Sequence, residues 1–316
     1  MSRPFPECID IVEVGPRDGF QMETRRIPTE LKVEVIERLA AAGIGEIEAV
    51  SFVHPKVIPQ MADAAEVLRA VRRRPGTRYS ALVPNLRGAE RALAAGADAL
   101  RLVVCCSETY NRKNVGLSIA ESVRLFSEIV GLAERAGAPV SAVLAVAFGC
   151  PFEGEVPEDR VAELASRFVG LGSDKLGVAD SAGLAEPRQV GRLMGRVRRE
   201  IEGTRLWLHL HDTRGLGLAN AFAALEEGVD SFDTSLGGMG GCPIMQGASG
   251  NIATEDFAYM CREMGLETGI DLDGVRAASR LMEEFLERAL PSRILASGTR
   301  EELLSRNRPT RQGGER

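Results

Sequence analysis

Short runs of β-branched and apolar residues alternate along this chain with longer amphipathic stretches. The strand-like runs fall at 9–14, 46–52, 79–83, 100–105, 141–147, 175–179, 206–211 and 231–235, and the helix-like stretches at 29–42, 62–73, 87–95, 119–136, 157–171, 187–201 and 218–227. Regular β–α alternation predicts a parallel sheet covered by helices. Eight strands is also the number that closes such a sheet into a barrel. The punctuation agrees: Pro28, Pro157 and Pro187 stand at helix entries, and Gly43, Gly96, Gly137, Gly172 and Gly228 follow helix ends, where a left-handed residue is wanted. The expected fold is α/β, a (β/α)8 TIM barrel with a short C-terminal helical extension. The barrel and its C-terminal helices are expected over 1–290. Residues 291–316 are expected as a weakly ordered tail, since the chain is polar and Arg-rich from about Thr299 onward.

Composition narrows the classes of partner. The chain has 316 residues, 44% of them hydrophobic, enough for one large domain with a substantial core. The formal net charge of −6 gives no reason to expect nucleic acid, and the basic run Arg72, Arg73, Arg74 reads as a solvated helix end. No stretch approaches the ~20 uninterrupted apolar residues of a membrane span. The N-terminal MSRPFPECIDIVEV has no signal-like apolar region and the C-terminal RQGGER is no peroxisomal address. A cytoplasmic protein is expected. Six cysteines without metal-finger spacing are expected as thiols, mostly buried as small hydrophobes.

In a barrel of this kind chemistry sits at the C-terminal ends of the strands, and the conspicuous polar residues fall there. Arg17 and Asp18 follow the first strand, Glu48 and Ser51 belong to the second, and Asn114 lies in the loop after the fourth. Asp180 ends the sixth, His209 and His211 end the seventh, and Asn251 follows the eighth. The chain has three histidines, and two of them stand two apart on one strand. Period-two alternation puts both imidazoles on the same face. Metal binding keeps both neutral and rewards that spacing, whereas a hydrogen-bonded core pair is the plainer alternative. Asp18 and Asn251 complete a mixed nitrogen–oxygen set suited to Mg²⁺ or Mn²⁺, and less well to Zn²⁺. A Gly-rich segment surrounds Cys242, a candidate reactive thiol on a moving loop; a phosphate cradle or a merely flexible loop is the alternative. Arg17 can stabilise a developing enolate or form a plain pair with Asp18. Glu48 and Asp180 can orient the metal site or shuttle protons, and the sequence does not choose. His54 reads as a solvated loop residue.

These residues carry a resemblance. Val12-Glu13-Val14-Gly15-Pro16-Arg17-Asp18-Gly19-Phe20-Gln21, the loop Ser51-Phe52-Val53, Pro55-Lys56 and Pro59-Gln60-Met61, the segment Gly149-Cys150-Pro151-Phe152-Glu153-Gly154, and Gly240-Gly241-Cys242-Pro243 with QGASGNIATED from Gln246 to Asp256 resemble the hydroxymethylglutaryl-CoA lyases of the DRE-TIM metallolyase superfamily. The likeness runs from about residue 9 to about 270. It implies Asp18, His209, His211 and Asn251 as ligands of a divalent metal, Arg17 as the enolate stabiliser, and Cys242 and His209 in proton transfer. It further implies that Glu48 and Asp180 complete the polar site and that Ser51 and Asn114 contact the acyl group. The implied reaction is a Claisen-type C–C cleavage of 3-hydroxy-3-methylglutaryl-CoA or a close homologue to acetyl-CoA and acetoacetate or a related keto acid, as in leucine degradation. The implied partners are an acyl-CoA and, in some barrels of this kind, a second copy of the chain.

Three departures from the family pattern stand out. Gly177 occupies a position usually held by Ser, Asp180-Ser181-Ala182-Gly183 replaces Asp-Thr-Ile-Gly, and Arg214 replaces a frequent Tyr. A Gly in place of Ser at 177 removes a hydrogen-bond donor and is expected to make space in the acyl pocket. A larger acyl group, or a citramalyl thioester, is therefore the alternative substrate. A superfamily condensing synthase, an aldolase acting on a free 2-oxo acid and a non-catalytic binding barrel are the remaining alternatives.

Overall fold

In the computed structural model, which describes residues 5–241 and 250–306, the eight expected strands form one closed parallel barrel. They are β1 (Asp10–Glu13), β2 (Glu46–Ser51), β3 (Arg78–Leu82), β4 (Ala99–Cys105), β5 (Val140–Ala145), β6 (Lys175–Asp180), β7 (Arg205–Leu210) and β8 (Ser231–Thr234). Each strand pairs with its sequence neighbours, and β1 closes the ring on β8 from Asp10↔Ser231 to Glu13↔Thr234. The crossovers are α1 (Thr29–Ala41), α2 (Ala64–Ala70), α3 (Leu86–Ala94), α4 (Glu108–Asn114), α5 (Ile119–Ala136), α6 (Glu158–Gly170), α7 (Pro187–Glu200) and α8 (Gly217–Glu226). The extension continues with α9 (Thr254–Glu263), α10 (Leu272–Leu286), α11 (Arg293–Ser297) and α12 (Arg300–Arg306).

Local chemistry sets these boundaries. Helix α5 starts on a capping box, in which the Ser118 side chain accepts from Glu121 N while the Glu121 carboxylate reaches back to Ser118 N, and it ends at Gly137 with φ +68°. The seven-residue α4 escapes the pattern because ETYNRKN carries no apolar stripe; Ser107 caps it, with its hydroxyl accepting from Tyr110 N. Asn114, expected in a loop, is therefore the last residue of a helix. Residues 293–306, expected within a weakly ordered tail, form α11 and α12. The Asp256 carboxylate accepts from Ser292 Oγ, Arg293 N and Ile294 N at 2.7–2.9 Å and fixes the start of α11, and Ile294 and Leu295 are buried.

The barrel interior explains where the site can sit. Its lowest layer is ionic: Glu46 of β2, Arg101 of β4, Lys175 of β6 and Asp233 of β8 are all buried. Arg101 donates to Glu46 Oε1 at 3.1 Å and to both oxygens of Asp233 at 3.0 and 3.1 Å, while Lys175 Nζ pairs with Glu46. Bonds between strands that are not neighbours must cross the barrel axis. Alternate strands supply this layer, as barrel geometry requires. Above it Trp207, Val143 and Ala179 form a small apolar layer. His209 and His211 stand higher on the same face of β7. The outer core between strands and helices is conventional apolar packing.

Candidate functional site

The chain turns sharply after β1. Gly15–Gly19 forms a single π-type turn, in which Asp18 N donates to Val14 O at 2.6 Å and Pro16 occupies an early position that needs no donor. The turn aims Arg17 and Asp18 over the barrel mouth. Arg17 Nε and Nη2 both donate to Glu48 Oε2, at 2.9 and 2.7 Å, and Nη1 pairs with Asp18 Oδ1. Gln21 Nε2 donates to the same Asp18 oxygen at 2.8 Å. Residues 250–252 return beside the end of β7, with Asp212 N donating to Gly250 O and Ile252 N to Leu210 O. This bridge seats Asn251 against His211 despite their separation in sequence. Asn251 Nδ2 donates to Asp18 Oδ2 at 2.8 Å and to Met239 O at 3.2 Å. Only glycine fits at 240: its φ is +123°, and a Cβ there would lie 2.5 Å from Asn251 Nδ2.

The histidines complete a compact cluster. His209 Nε2 and His211 Nε2 are 3.1 Å apart, and His211 Nε2 is 4.0 Å from Asp18 Oδ2. One ligand atom from each of Asp18, His209 and His211 lies within 4.8 Å of the others, and all three residues are buried. Burial pushes the Asp18 carboxyl up, but Arg17 and the two histidines outweigh it and hold the group below the ordinary carboxylate range. Burial, reinforced by the neighbouring His209, lowers His211 to about 4, so its imidazole is neutral at physiological pH. Two imidazoles, an ionised carboxylate and an amide make a suitable divalent-cation set. The polar atoms agree: Asn251 Oδ1 and His211 Nδ1 are buried without a hydrogen-bond partner among the described residues. The residues present fit a metal ion.

The structure thus brings together Arg17, Asp18, Glu48, His209, His211 and Asn251. Asp180 lies within electrostatic reach of His209, but among the described residues no hydrogen bond joins it to this cluster. Its two carboxylate oxygens accept from Leu184 N and Ala185 N at 2.9 and 3.0 Å, which makes it the buckle of its own loop, and burial pushes its carboxyl up. Ser51 is buried and its hydroxyl accepts from Val53 N at 3.2 Å. Asn114 is exposed, its amide 3.8 Å from Cys105 Sγ. His54 is exposed and Nδ1 accepts from Lys56 N. Cys242 lies outside the described residues.

Gly177 requires a correction. It is deep in β6, level with Trp207 of β7, and a Cβ built there would come within 2.4 Å of the indole Cε2. The indole is fully buried. The small residue at 177 makes room for Trp207 and not for an acyl substituent.

Three carboxylates of structural weight were missed in the sequence. Asp233 Oδ2 lies 3.2 Å from His209 Nδ1 and 3.1 Å from Trp207 Nε1. Glu13 accepts from Gly15 N and Leu236 N at 2.7 and 2.9 Å and from Thr254 Oγ1 at 2.7 Å. Glu255 accepts from Gly237 N at 2.9 Å and from Ser279 Oγ. The signal was available for Asp233 and Glu13, since an acid inside an apolar strand run of a parallel sheet must have a buried partner.

The HMGL-like family model matches residues 8–282. The chain belongs to the hydroxymethylglutaryl-CoA lyase family. It is 41% identical to the cytoplasmic 3-hydroxy-3-methylglutaryl-CoA lyase of Mus musculus over 92% of this chain and 84% of that protein. The Bacillus subtilis HMG-CoA lyase superimposes with a TM-score of 0.91 at 41% identity, over 93% of this chain and 99% of that one. An HMG-CoA lyase of Acinetobacter baumannii, solved with coenzyme A and 3-methylmalate, gives a TM-score of 0.90 at 42% identity over 94% of this chain and 97% of that one. The present hydroxymethylglutaryl-CoA lyase family member is a carbon–carbon lyase, and among its described residues no helix is long and apolar enough to cross a membrane.

Proposed function

We propose that this lyase cleaves 3-hydroxy-3-methylglutaryl-CoA to acetyl-CoA and acetoacetate, with Mg²⁺ or Mn²⁺ held by Asp18, His209, His211 and Asn251. The observation that carries the reading is the convergence of Asp18, His209 and His211 at the mouth of the barrel, beside a clamped arginine. A divalent ion bound there supplies Lewis-acid polarisation of substrate oxygens. Breaking the bond between C3 and the carbon next to the thioester sends an electron pair into a thioester enolate. Arg17, fixed by two bonds to Glu48, is a preorganised cation for that charge and need not reorganise to meet it. Glu48 Oε1 is buried with no partner among the described residues, so it remains able to accept from substrate or water. The hydroxyl proton goes to that Glu48 oxygen, because both ring nitrogens of His209 are engaged, Nδ1 by Asp233 and Nε2 as a ligand, and Cys242 is the acid that protonates the enolate carbon. Ser51, Asn114 and Asp180 would act at the rim, through the shape of the loops that they close.

The alternative of a bulkier acyl group rested on free volume at Gly177, and Trp207 occupies that volume. The methyl-bearing substrate is therefore favoured. A panel of CoA thioesters with Mg²⁺ or Mn²⁺, read by acetyl-CoA release, tests the proposal. Fastest turnover of 3-hydroxy-3-methylglutaryl-CoA, lost in EDTA, is the expected result. Metal-independent turnover, or preference for a longer homologue, overturns it.

A further inference from the structure

We infer that Asp233 is a positioning residue of the metal site: it holds the proton of His209 on Nδ1 and so leaves Nε2 bare and aimed at the cation. This rests on the reading of Asp18, His209 and His211 as ligands. His209 and Asp233 face one another in register across β7 and β8. Asp233 Oδ2 lies 3.2 Å from His209 Nδ1. The same oxygen accepts from Trp207 Nε1 at 3.1 Å, and both oxygens accept from Arg101 Nη1 at 3.0 and 3.1 Å. A carboxylate already fed by a guanidinium and an indole is an acceptor, so the shared proton belongs to the imidazole. The carboxylate cannot turn away, because Arg101 is itself held by Glu46, and Glu46 by Lys175 on the far side of the barrel. The ionic layer thus anchors the tautomer of a residue one storey above it.

The two histidines are unequal in this respect. His211 has no such partner, and its buried Nδ1 makes no hydrogen bond among the described residues. With His209 Nε2 bare, the 3.1 Å contact between the two Nε2 atoms is a hydrogen bond only if His211 carries its proton on Nε2. Binding a cation through that atom moves the His211 proton to Nδ1. His209 keeps its proton where Asp233 holds it.

Ring-nitrogen NMR on ¹⁵N-histidine-labelled full-length protein tests this. The chain has three histidines, and His54→Gln assigns the third. In metal-free wild type His209 should show Nδ1–H, and it should keep it when Mg²⁺ is added, while His211 changes from Nε2–H to Nδ1–H. In Asp233→Asn, Mn²⁺ titration followed by electron paramagnetic resonance should give a Kd raised about 10- to 100-fold, with His209 in mixed tautomers. Protonation of His209 on Nε2 in the metal-free wild type overturns the inference, as does an unchanged Kd in folded Asp233→Asn. Should Asp233→Asn not fold, the wild-type spectrum decides alone. Failure of wild type to bind Mn²⁺ strikes the ligand assignment instead, and the metal-free tautomer still judges Asp233.

Discussion

The indole of Trp207 fills the space that a side chain at position 177 would need. A Cβ on Gly177 would lie 2.4 Å from Cε2, 2.5 Å from Cζ2 and 2.9 Å from Nε1 of that ring. Trp207 is also fastened from below, by its bond to Asp233 and by Arg101 and Lys175 at 4.9 and 5.5 Å from the ring centre. The ring cannot retreat cheaply. Gly177 and Trp207 are one packing unit, joined to Asp233 by the indole N–H.

Gly177→Ser should therefore act as an overpacking mutation. The expected cost is about 1–3 kcal/mol of stability, with no gain in preference for the smaller acyl group. Trp207→Phe removes the atoms nearest the added side chain. In a double-mutant cycle by denaturant unfolding, Gly177→Ser with Trp207→Phe should be less destabilised than the sum of the single variants. Strict additivity would mean that the two positions do not share the space.

The pattern of the chain carried the barrel, because eight β–α units admit few other closures, and it carried six residues of the cluster, because strand ends in a barrel share one mouth. It could not carry Trp207 against Gly177, since that contact depends on register between β6 and β7, which no local signal encodes. Asp180 was a candidate because it ends a strand; the bonds that its two oxygens accept from Leu184 N and Ala185 N, which shape its own loop, depend on how the chain turns after β6 and are not legible in the sequence. Glu46, Arg101, Lys175 and Asp233 are charges within strand runs. Each looks like a local anomaly until the closed barrel sets alternate strands facing one another.

Removal of a ligand should separate metal binding from folding. His211→Ala deletes a neutral side chain, so it leaves no unpaired buried charge, and the loss is mainly a ligand and some volume. Mn²⁺ affinity should fall by more than about 10-fold, beyond the lower bound typical of losing an outer partner. Circular dichroism should stay that of the wild type. Wild-type Mn²⁺ affinity in this variant would remove His211 from the ligand set.

Thiol chemistry should single out Cys242. Cys105, Cys106, Cys150 and Cys261 are buried, and Cys8 is exposed. Burial raises the Cys106 thiol far above its usual range and pushes Cys261 to about 12, so neither offers thiolate to a reagent near neutral pH. In a Cys8→Ser background, iodoacetamide should inactivate the enzyme in step with modification of one thiol, and substrate should protect it. Cys242→Ser should lower kcat by about 10²–10⁴-fold, the usual weight of a positioned proton donor, with little change in KM. Unchanged turnover in that variant would remove Cys242 from the proton-transfer step.

Stability should fall on the alkaline side, and Glu13 should be the main reason. Burial pushes its carboxyl up to about 8, against the opposing pull of its bonds from Thr254, Leu236 and Gly15. Burial likewise pushes Glu255, beneath the same Leu236–Gly238 turn, to about 7. A carboxyl whose folded pKa is raised favours the native state fully below its ordinary value, and that contribution is lost as pH rises through the folded pKa. His211 acts in the opposite sense, because its folded pKa of about 4 lies below the ordinary 6.5, so it favours the native state increasingly as pH rises to about 6.5. Asp18 and Asp233 are held low and lose their contribution only in acid. Above pH 6.5 the two glutamates therefore dominate. The Tm of metal-free wild type should decline between pH 6.5 and 8.5. Glu13→Gln should flatten that decline, because its amide can donate to Thr254 Oγ1, which lies 2.7 Å from Thr234 Oγ1 and can pass a hydrogen bond on. An equally steep decline in Glu13→Gln would shift the effect to Glu255, and a level wild-type profile would mean that both carboxyls ionise without cost to the fold.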